Sequence, residues 1–512
     1  MKFTLTLAMS LLGSVAMADP FVVNASQSPS TMDPSFACDI VGNGYVAPLY
    51  SPLVTYARKN YDGPAGVTVT AEDDSKIVSA LAESWSVSDD GLNYTFNIRE
   101  GAKFASGNAL DGAAVAASLN RALSSGACGT YYMEAGSFGN TQSIEADGNV
   151  VTIKLAAPQP LLIHTLPQPN LSIVDVAVAD ANGGNDWMAN HAAPSGPYVL
   201  AEYQPGVKAV YQANPNYWGD APLEDEVIVN FISDPSALLL QARNGAADVT
   251  LGLPKQMVSQ LSSELNVVEV PSPRFMIVGL PNKVAPFDNT TFRQALSYAV
   301  PYEAIQKSVA FGYADSFFGP FPPEFSAYSE ENGAARAFDM AKAQELLAAS
   351  GVTGAVALEL TIMEGNAEQE QIATILQGAW KPLGVDAKIS KLSASAYVEA
   401  TTSPEKTTAI VRFDGPSIAD PAWLLSYDMF CQSPYNQSNY CNADAEALFG
   451  EAVAMPDMAD RQDKWNAIAA KWIEDAPRIP VYADVFTAVL DKDVTKWDFA
   501  QDGPFDLQNW GR

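Results

Sequence analysis

Between Ala357 and Leu392 the chain reads ALELTIM, then QEQIATILQGAW, then VDAKISKL. The outer two segments alternate apolar and polar residues, which is the period of a strand. In the middle one, Ile372, Ile375, Leu376 and Ala379 fall on one helical stripe that Gly384 ends. Strand, helix and strand in that order predict a crossover unit, which places the two strands in parallel under a helical layer. The fold class is therefore α/β.

The flanking sequence adds other units to this one. ESWSVSDDGLNYTFNIRE carries Tyr94, Phe96 and Ile98 in alternation after Asp90-Gly91, and SIEADGNVVTIKLA repeats the device with Asp147-Gly148 ahead of Val151, Ile153 and Leu155. Both read as antiparallel hairpins. Between them GAAVAASLNRAL puts Val115, Leu119 and Ala122 at helical spacing, so this stretch forms a small α+β unit. YVLAEY, KAVYQA and EVIVNFI are strand-like again. Beyond Pro271 helices enter: NTTFRQALSYAV carries Phe292, Ala295, Leu296 and Ala299 on one face, and DMAKAQELLAASG starts at a capping Asp339 and stops at Gly351.

A chain of 512 residues, 48% hydrophobic, has material for two to four domains of roughly 100 to 200 residues each. The first eighteen residues, MKFTLTLAMSLLGSVAMA, place Lys2 ahead of an apolar run from Leu5 to Val15 and end on Ala16-Met17-Ala18. They read as a cleavable secretory signal peptide, too short to span a membrane, with the mature chain starting at Asp19. No cysteine adjoins that point, so the mature protein is expected free in an exported compartment rather than lipid-anchored. A formal charge of −30 argues against nucleic acid and anionic lipid, which need basic patches.

Cys38, Cys128, Cys431 and Cys441 allow three pairings, and export makes disulfides the default. CQSPYNQSNYC closes a short, turn-rich loop, so Cys431 pairs with Cys441 and Cys38 is left for Cys128. A metal site is not expected: there is no Cys-x-x-Cys, and His164 and His191 are the only imidazoles. No cofactor is expected either. Catalysis lacks its usual sequence marks, since neither Gly-x-Ser-x-Gly nor His-Glu-x-x-His occurs. A secreted hydrolase working through paired carboxylates is the rival class.

Four stretches resemble one family. They are SALAESWSVSDDGLNYTFNIREGAKFASGNAL, APSGPYVLAEYQPGVKAVYQANPNYWGDAP, PFDNTTFRQALSYAV and APRIPVYADVFTAVL, and their order and spacing run from about Thr31 to Leu490. Together they are similar to the extracytoplasmic solute-binding proteins of ABC importers, in the large family that includes dipeptide- and oligopeptide-binding proteins. The resemblance implies a two-lobed clamshell of the periplasmic binding-protein type (type II-like) with an extra α+β domain. On that pattern the first lobe takes residues 19–56, 190–268 and 487–512, an accessory domain takes 57–189, and the second lobe takes 269–486. It implies a monomer in the periplasm that carries a small solute to a permease and an ATPase on separate chains. Peptide, sugar and opine-like conjugate are all solutes of this family.

The same resemblance directs attention to VRFDGPSIADPAWLLSY, Val411 to Tyr427. Peptide-binding members usually carry an Asp three residues before the Asp-Pro pair, where it holds the ligand ammonium, and here that position is Ser417. Asp420-Pro421 reads as a helix cap followed by Pro at the first helical position, a structural role. Arg412 and Asp414 stand either side of Phe413, and opposite charges beside an apolar run are costly to bury unless paired or liganded. In a clamshell this strand end faces the cleft. Arg412 would then grip a carboxylate and Asp414 an ammonium or hydroxyl, with Phe413 and Trp423 as walls and Ser417 in the motif position. Arg274 and Tyr45, near a lobe crossing and a cleft edge, complete the candidate set. A peptide or similar zwitterion is the leading ligand.

Overall fold

A computed structural model describes residues 19–512 apart from 138, 160, 403–406, 419, 432, 434, 435, 437, 456–458 and 501–504. The signal peptide expected over residues 1–18 lies outside them. The crossover unit is present: Val356–Met363 and Val385–Leu392 pair in parallel from Val356↔Val385 onward, joined by the helix Ala367–Trp380. Asn366 caps that helix by accepting from the Gln369 amide at 3.0 Å, and Ile372, Ala373, Leu376 and Trp380 are its buried face. Gly384 closes the unit in the left-handed region at φ 78°, where a side chain would be strained.

This unit sits at one end of a mixed sheet of eleven strands among the described residues. Its order continues through Ala409–Asp414, Asn266–Gly279, Arg478–Leu490, Val249–Leu251, Phe21–Ala25, Glu226–Phe231, Lys208–Ala213 and Tyr198–Gln204, and the short Ala314–Asp315 pairs with Arg478–Leu490 off this path. Two long strands link its halves. Asn266–Gly279 and Arg478–Leu490 run antiparallel from Asn266↔Leu490 to Gly279↔Arg478. One end of the pair adjoins Val249–Leu251 and the other adjoins Ala409–Asp414, so the chain crosses between two lobes along these strands. The ladder shifts register between Pro271 and Phe275, leaving Ser272, Pro273 and Arg274 opposite Asp484 alone. Such a bulge bends a strand and re-aims its side chains.

Each side of the crossing has its own core. Phe275, Leu296, Leu360, Trp380 and Tyr482 belong to one, and Phe21, Tyr198, Val227, Val249 and Trp510 to the other. A third core is built on the two expected hairpins, which pair into a four-stranded sheet under the helix Gly112–Leu123. The segment after Ala409–Asp414 enters this third core through Ile418 and Trp423. There Asp420, wholly buried, caps the helix Pro421–Asp428 by accepting from the Ala422 amide at 2.7 Å, with Arg461 at 3.5 Å.

A three-stranded sheet of Val54–Tyr61, Thr68–Ser79 and Lys496–Phe499 was not legible as strands, because charged residues break its alternation. The structure explains the charges by pairing them: Arg58 meets Glu72 at 3.6 Å, Asp498 at 3.3 Å and Asp506. The edge of this sheet also reaches the second lobe. Glu324 accepts from Lys59 Nζ at 3.0 Å and Tyr61 Oη at 2.6 Å, and the Ser326 amide donates to Asp74 Oδ2 at 3.0 Å. Burial pushes the Asp74 carboxyl from 3.8 up to about 6, against the pull of the Ser326 amide and Lys59.

A carboxyl raised in this way binds its proton more tightly folded than unfolded. Its contribution to stability is complete below about pH 4 and is lost as pH rises through about 6. Asp74→Asn keeps an oxygen for the Ser326 amide and removes the buried charge. It is expected to add about 2 to 3 kcal/mol to the unfolding free energy at pH 7.5 and to flatten its pH dependence between 4 and 6. Urea unfolding across that range checks this; a variant no more stable than wild type at pH 7.5 would contradict it.

The disulfides are Cys38–Cys128 and Cys431–Cys441. The second closes a separation of only 10 residues, worth about 2 to 3 kcal/mol in the chain-entropy model. Cys431→Ser/Cys441→Ser should therefore melt several degrees lower than wild type, and reductant should narrow the gap. Equal melting in oxidising buffer would count against this.

Candidate functional site

The strand Ala409–Asp414 lies between Val356–Met363 and Asn266–Gly279, in antiparallel register with the latter through Ile277↔Arg412, Met276↔Phe413 and Phe275↔Asp414. This register delivers its last three residues to the crossing beside the bulge that carries Arg274. Gly415 follows, and a Cβ there would stand 3.0 Å from the Arg274 Cα, so the two backbones meet this closely only because glycine occupies the position.

Asp414 is buried and fully engaged. Its Oδ1 accepts from Arg412 Nη2 at 3.0 Å and from the Gly415 amide at 3.0 Å, and its Oδ2 accepts from Arg478 Nη1 at 2.9 Å. Burial alone pushes this carboxyl up, but Arg412 and Arg478 outweigh it and hold the group below the usual carboxylate range. Asp414 thus holds two guanidinium groups in place, the second of which, Arg478, the sequence reading did not single out.

Arg274 is different. Its guanidinium lies over the Phe413 ring at 5.6 Å and makes no ion pair within 4 Å among the described residues, although Asp484 and Asp414 are nearby. Burial pushes it below its usual range. A guanidinium half-withdrawn from water, with no ion pair among the described residues, keeps donors that can serve an anion.

Two adjoining cavities meet at Ile40, Arg274 and Phe413. The smaller, about 360 Å³, is bounded by Asp39 and Asn43 from one lobe, Tyr132 from the third core, and Arg274, Arg412, Asp414, Ser417 and Trp423. The larger, about 470 Å³, has Tyr45, Leu251, Phe413, Phe486 and Phe505 as apolar walls and Glu368 and Asp484 as acids. All seven residues singled out from the sequence therefore line one or other of these adjoining cavities. Their parts differ. Trp423 packs edge-on against Tyr131 at 5.7 Å, so it is core as well as wall. The Tyr45 hydroxyl is committed to the Gln27 carbonyl at 2.8 Å, leaving its ring to the cavity. The Ser417 carbonyl accepts from Gln168 Nε2 at 2.6 Å, tying this loop to the third core.

Sequence reasoning missed Glu368, Asp484 and Asn43. Glu368 stands at the start of the helix Ala367–Trp380 and accepts from Tyr482 Oη at 2.5 Å; burial pushes its carboxyl up. Asp484 pairs with Lys255, which also donates to the Tyr313 carbonyl at 2.8 Å. Asn43 belongs to the short helix Ile40–Val46, capped by Asp39, whose Oδ1 accepts from the Gly42 amide at 2.8 Å. Nothing in the local pattern sets these three apart, because only the closing of distant segments brings them to one space. No described cluster of His, Cys, Asp and Glu is placed to hold a metal ion, and no helix among the described residues is long and apolar enough to cross a membrane.

Two lobes joined by a pair of crossing strands, with a walled cleft at the crossing, define a clamshell that encloses a solute. The chain belongs to the bacterial extracellular solute-binding proteins, family 5 Middle, whose model matches residues 76–436. It is 27% identical over 491 residues to the probable D,D-dipeptide-binding periplasmic protein of Escherichia coli K12, covering 94% of this chain and 92% of that one. It is 25% identical over 517 residues to a glutathione-binding protein of Escherichia coli O1:K1, covering 99% and 97%. Among solved structures, a periplasmic binding protein of Helicobacter pylori in complex with the peptide STSA superposes with a TM-score of 0.78 at 23% identity, covering 96% of both chains.

Proposed function

We propose that this protein is the extracytoplasmic receptor of an ABC importer and that its ligand is a peptide or peptide-like zwitterion. The observation that carries this reading is the charge layout of the cleft. Arg274, free of an ion pair among the described residues, and Arg412 stand at the smaller cavity, while Glu368 and Asp484 stand in the larger. A solute with a carboxylate at one end and a donor or cation at the other matches both, and the aromatic walls between suit an apolar body. The names of the dipeptide-, glutathione- and peptide-binding relatives support the same class.

Function on this reading is capture without chemistry. The ligand binds both lobes, shifts the open–closed equilibrium toward the closed form, and so presents a joined surface to a permease carried on other chains. The proposal includes the division into 19–56, 190–268 and 487–512 as one lobe, 269–486 as the other and 57–189 as the accessory domain, supported by the two crossing strands and the separate third core. It includes export as well, with cleavage after Ala18 and a monomeric receptor in the periplasm. A thermal-shift screen of the purified protein against peptides, amino-acid conjugates and oligosaccharides tests the ligand class. Stabilisation by zwitterionic peptides is expected; stabilisation by neutral sugars alone would overturn it.

A further inference from the structure

Four acids border the two cavities, and they differ in what already holds them. Asp414 is shared by Arg412 and Arg478, Asp484 is paired with Lys255, and Asp39 is exposed and caps its helix. Glu368 has only a neutral partner: Oε1 accepts from Tyr482 Oη at 2.5 Å, and no ion pair within 4 Å reaches it among the described residues. Lys255 lies close enough to act on it through space, but its ammonium is taken up by Asp484 and the Tyr313 carbonyl. Oε2 accepts no hydrogen bond from a described residue, and it is not sealed from solvent. The side chain is partly buried and borders two spaces at once, the larger cavity and a third of about 360 Å³ that shares Phe413, Asp484 and Phe486 with it. An occupant of the larger cavity can therefore reach this carboxylate directly.

We infer that Glu368 is the cation-reading residue of the cleft, taking the ammonium of the bound solute on Oε2 while Tyr482 holds Oε1. The inference rests on the cleft being the ligand site, and it names which of the acids there reads the positive end of the ligand. Water serves Oε2 while the cleft is empty. An ammonium that replaces this water brings a full opposite charge into a setting where the pair is only partly screened. Arg274 lines the same cavity, and its attraction for Glu368 does not close into an ion pair among the described residues. One cavity thus carries a positive and a negative pole held apart by the fold, which complements a zwitterion and disfavours a solute that lacks either charge. The Tyr482 hydroxyl orients the carboxylate, and the place of Glu368 at the start of the helix Ala367–Trp380 favours an acid there.

Glu368→Gln keeps an oxygen for the Tyr482 hydroxyl and nearly the same volume, and it breaks no ion pair among the described residues, so the unliganded protein should melt no lower than wild type. The probes are glutathione, D-Ala-D-Ala and Ser-Thr-Ser-Ala, each beside its desamino analogue, and glucosamine beside glucose, titrated calorimetrically at neutral pH. Wild type should prefer the ammonium-bearing form by at least about tenfold, and in Glu368→Gln that preference should fall below about threefold. Glu368→Asp, which keeps the charge on a shorter stem, should retain a preference between the two. If glucosamine alone binds, the peptide reading fails, and the inference stands only if Glu368→Gln erases the preference for glucosamine over glucose. If peptides bind and their ammonium preference survives in Glu368→Gln, the peptide reading stands and the inference is overturned; loss of that preference in Asp484→Asn would then give the role to Asp484. Equal weakening of both forms together with lower unliganded melting would make Glu368 a structural residue and overturn the inference as well. A wild type that binds none of these solutes overturns both readings.

Discussion

Asp414→Ala is expected to lower the unfolding free energy by about 3 to 5 kcal/mol, since it strips a shared counter-ion from two arginines in a buried setting. The side chains of Asp414 and Arg478 are 2% and 3% exposed and that of Arg412 18%, so solvent can relieve only Arg412. From the sequence, Asp414 is a ligand-gripping charge whose removal spares the fold. The three donors on its two oxygens move the expected cost from binding to folding. Urea unfolding at pH 7 measures it, and Asp414→Ala/Arg478→Met should recover part of the loss, because replacing a buried pair with apolar groups is far less damaging than breaking it. A single variant within about 1 kcal/mol of wild type would show that water or a neighbour already compensates the arginines.

Arg274→Ala should behave in the opposite way. No ion pair among the described residues is broken, so the fold should change by less than about 1 kcal/mol, while affinity for a zwitterionic solute falls by about 2 to 5 kcal/mol as a ligand carboxylate is left enclosed without its partner. Arg274→Lys should restore charge but not the planar two-pronged geometry, and so recover only part of the affinity. Calorimetric titration of both variants with the solute found by the screen decides the matter. Wild-type affinity in Arg274→Ala would place anion recognition on Arg412 alone.

What the sequence made legible follows the range of the interactions concerned. The crossover unit from Val356 to Leu392, the turns at Gly91 and Gly148, and the caps at Asp339 and Asp420 are local, and each is present with the expected partner or backbone angle. The strand Thr68–Ser79 was hidden because charges break its alternation and their partners are not local in pattern: Glu72 meets Arg58 on the adjacent strand, Asp74 accepts from the Ser326 amide 252 positions away, and the strand's other neighbour is Lys496–Phe499. The cleft was half legible. Strand-end chemistry pointed to Arg412, Phe413 and Asp414, but the engagement of Asp414 depends on Arg478, which lies on a strand 64 positions later. Glu368 acquires meaning only from the space opposite it.

The bulge that carries Arg274 lies within the strands that join the lobes, and this has a mechanical side. A rotation of one lobe against the other must twist those strands, so Arg274 sits near the pivot, where even a strong attraction has a short lever arm. The bridge from Glu324 to Lys59 and Tyr61 belongs to a different sheet, which does not contain the joining strands. Such bridges can hold the jaws together, while on the proposed reading the charge at the crossing bears on which solute is bound. If both roles hold, selectivity and grip are carried by different parts of one machine, and Glu324→Gln should alter closure without changing which solute is preferred.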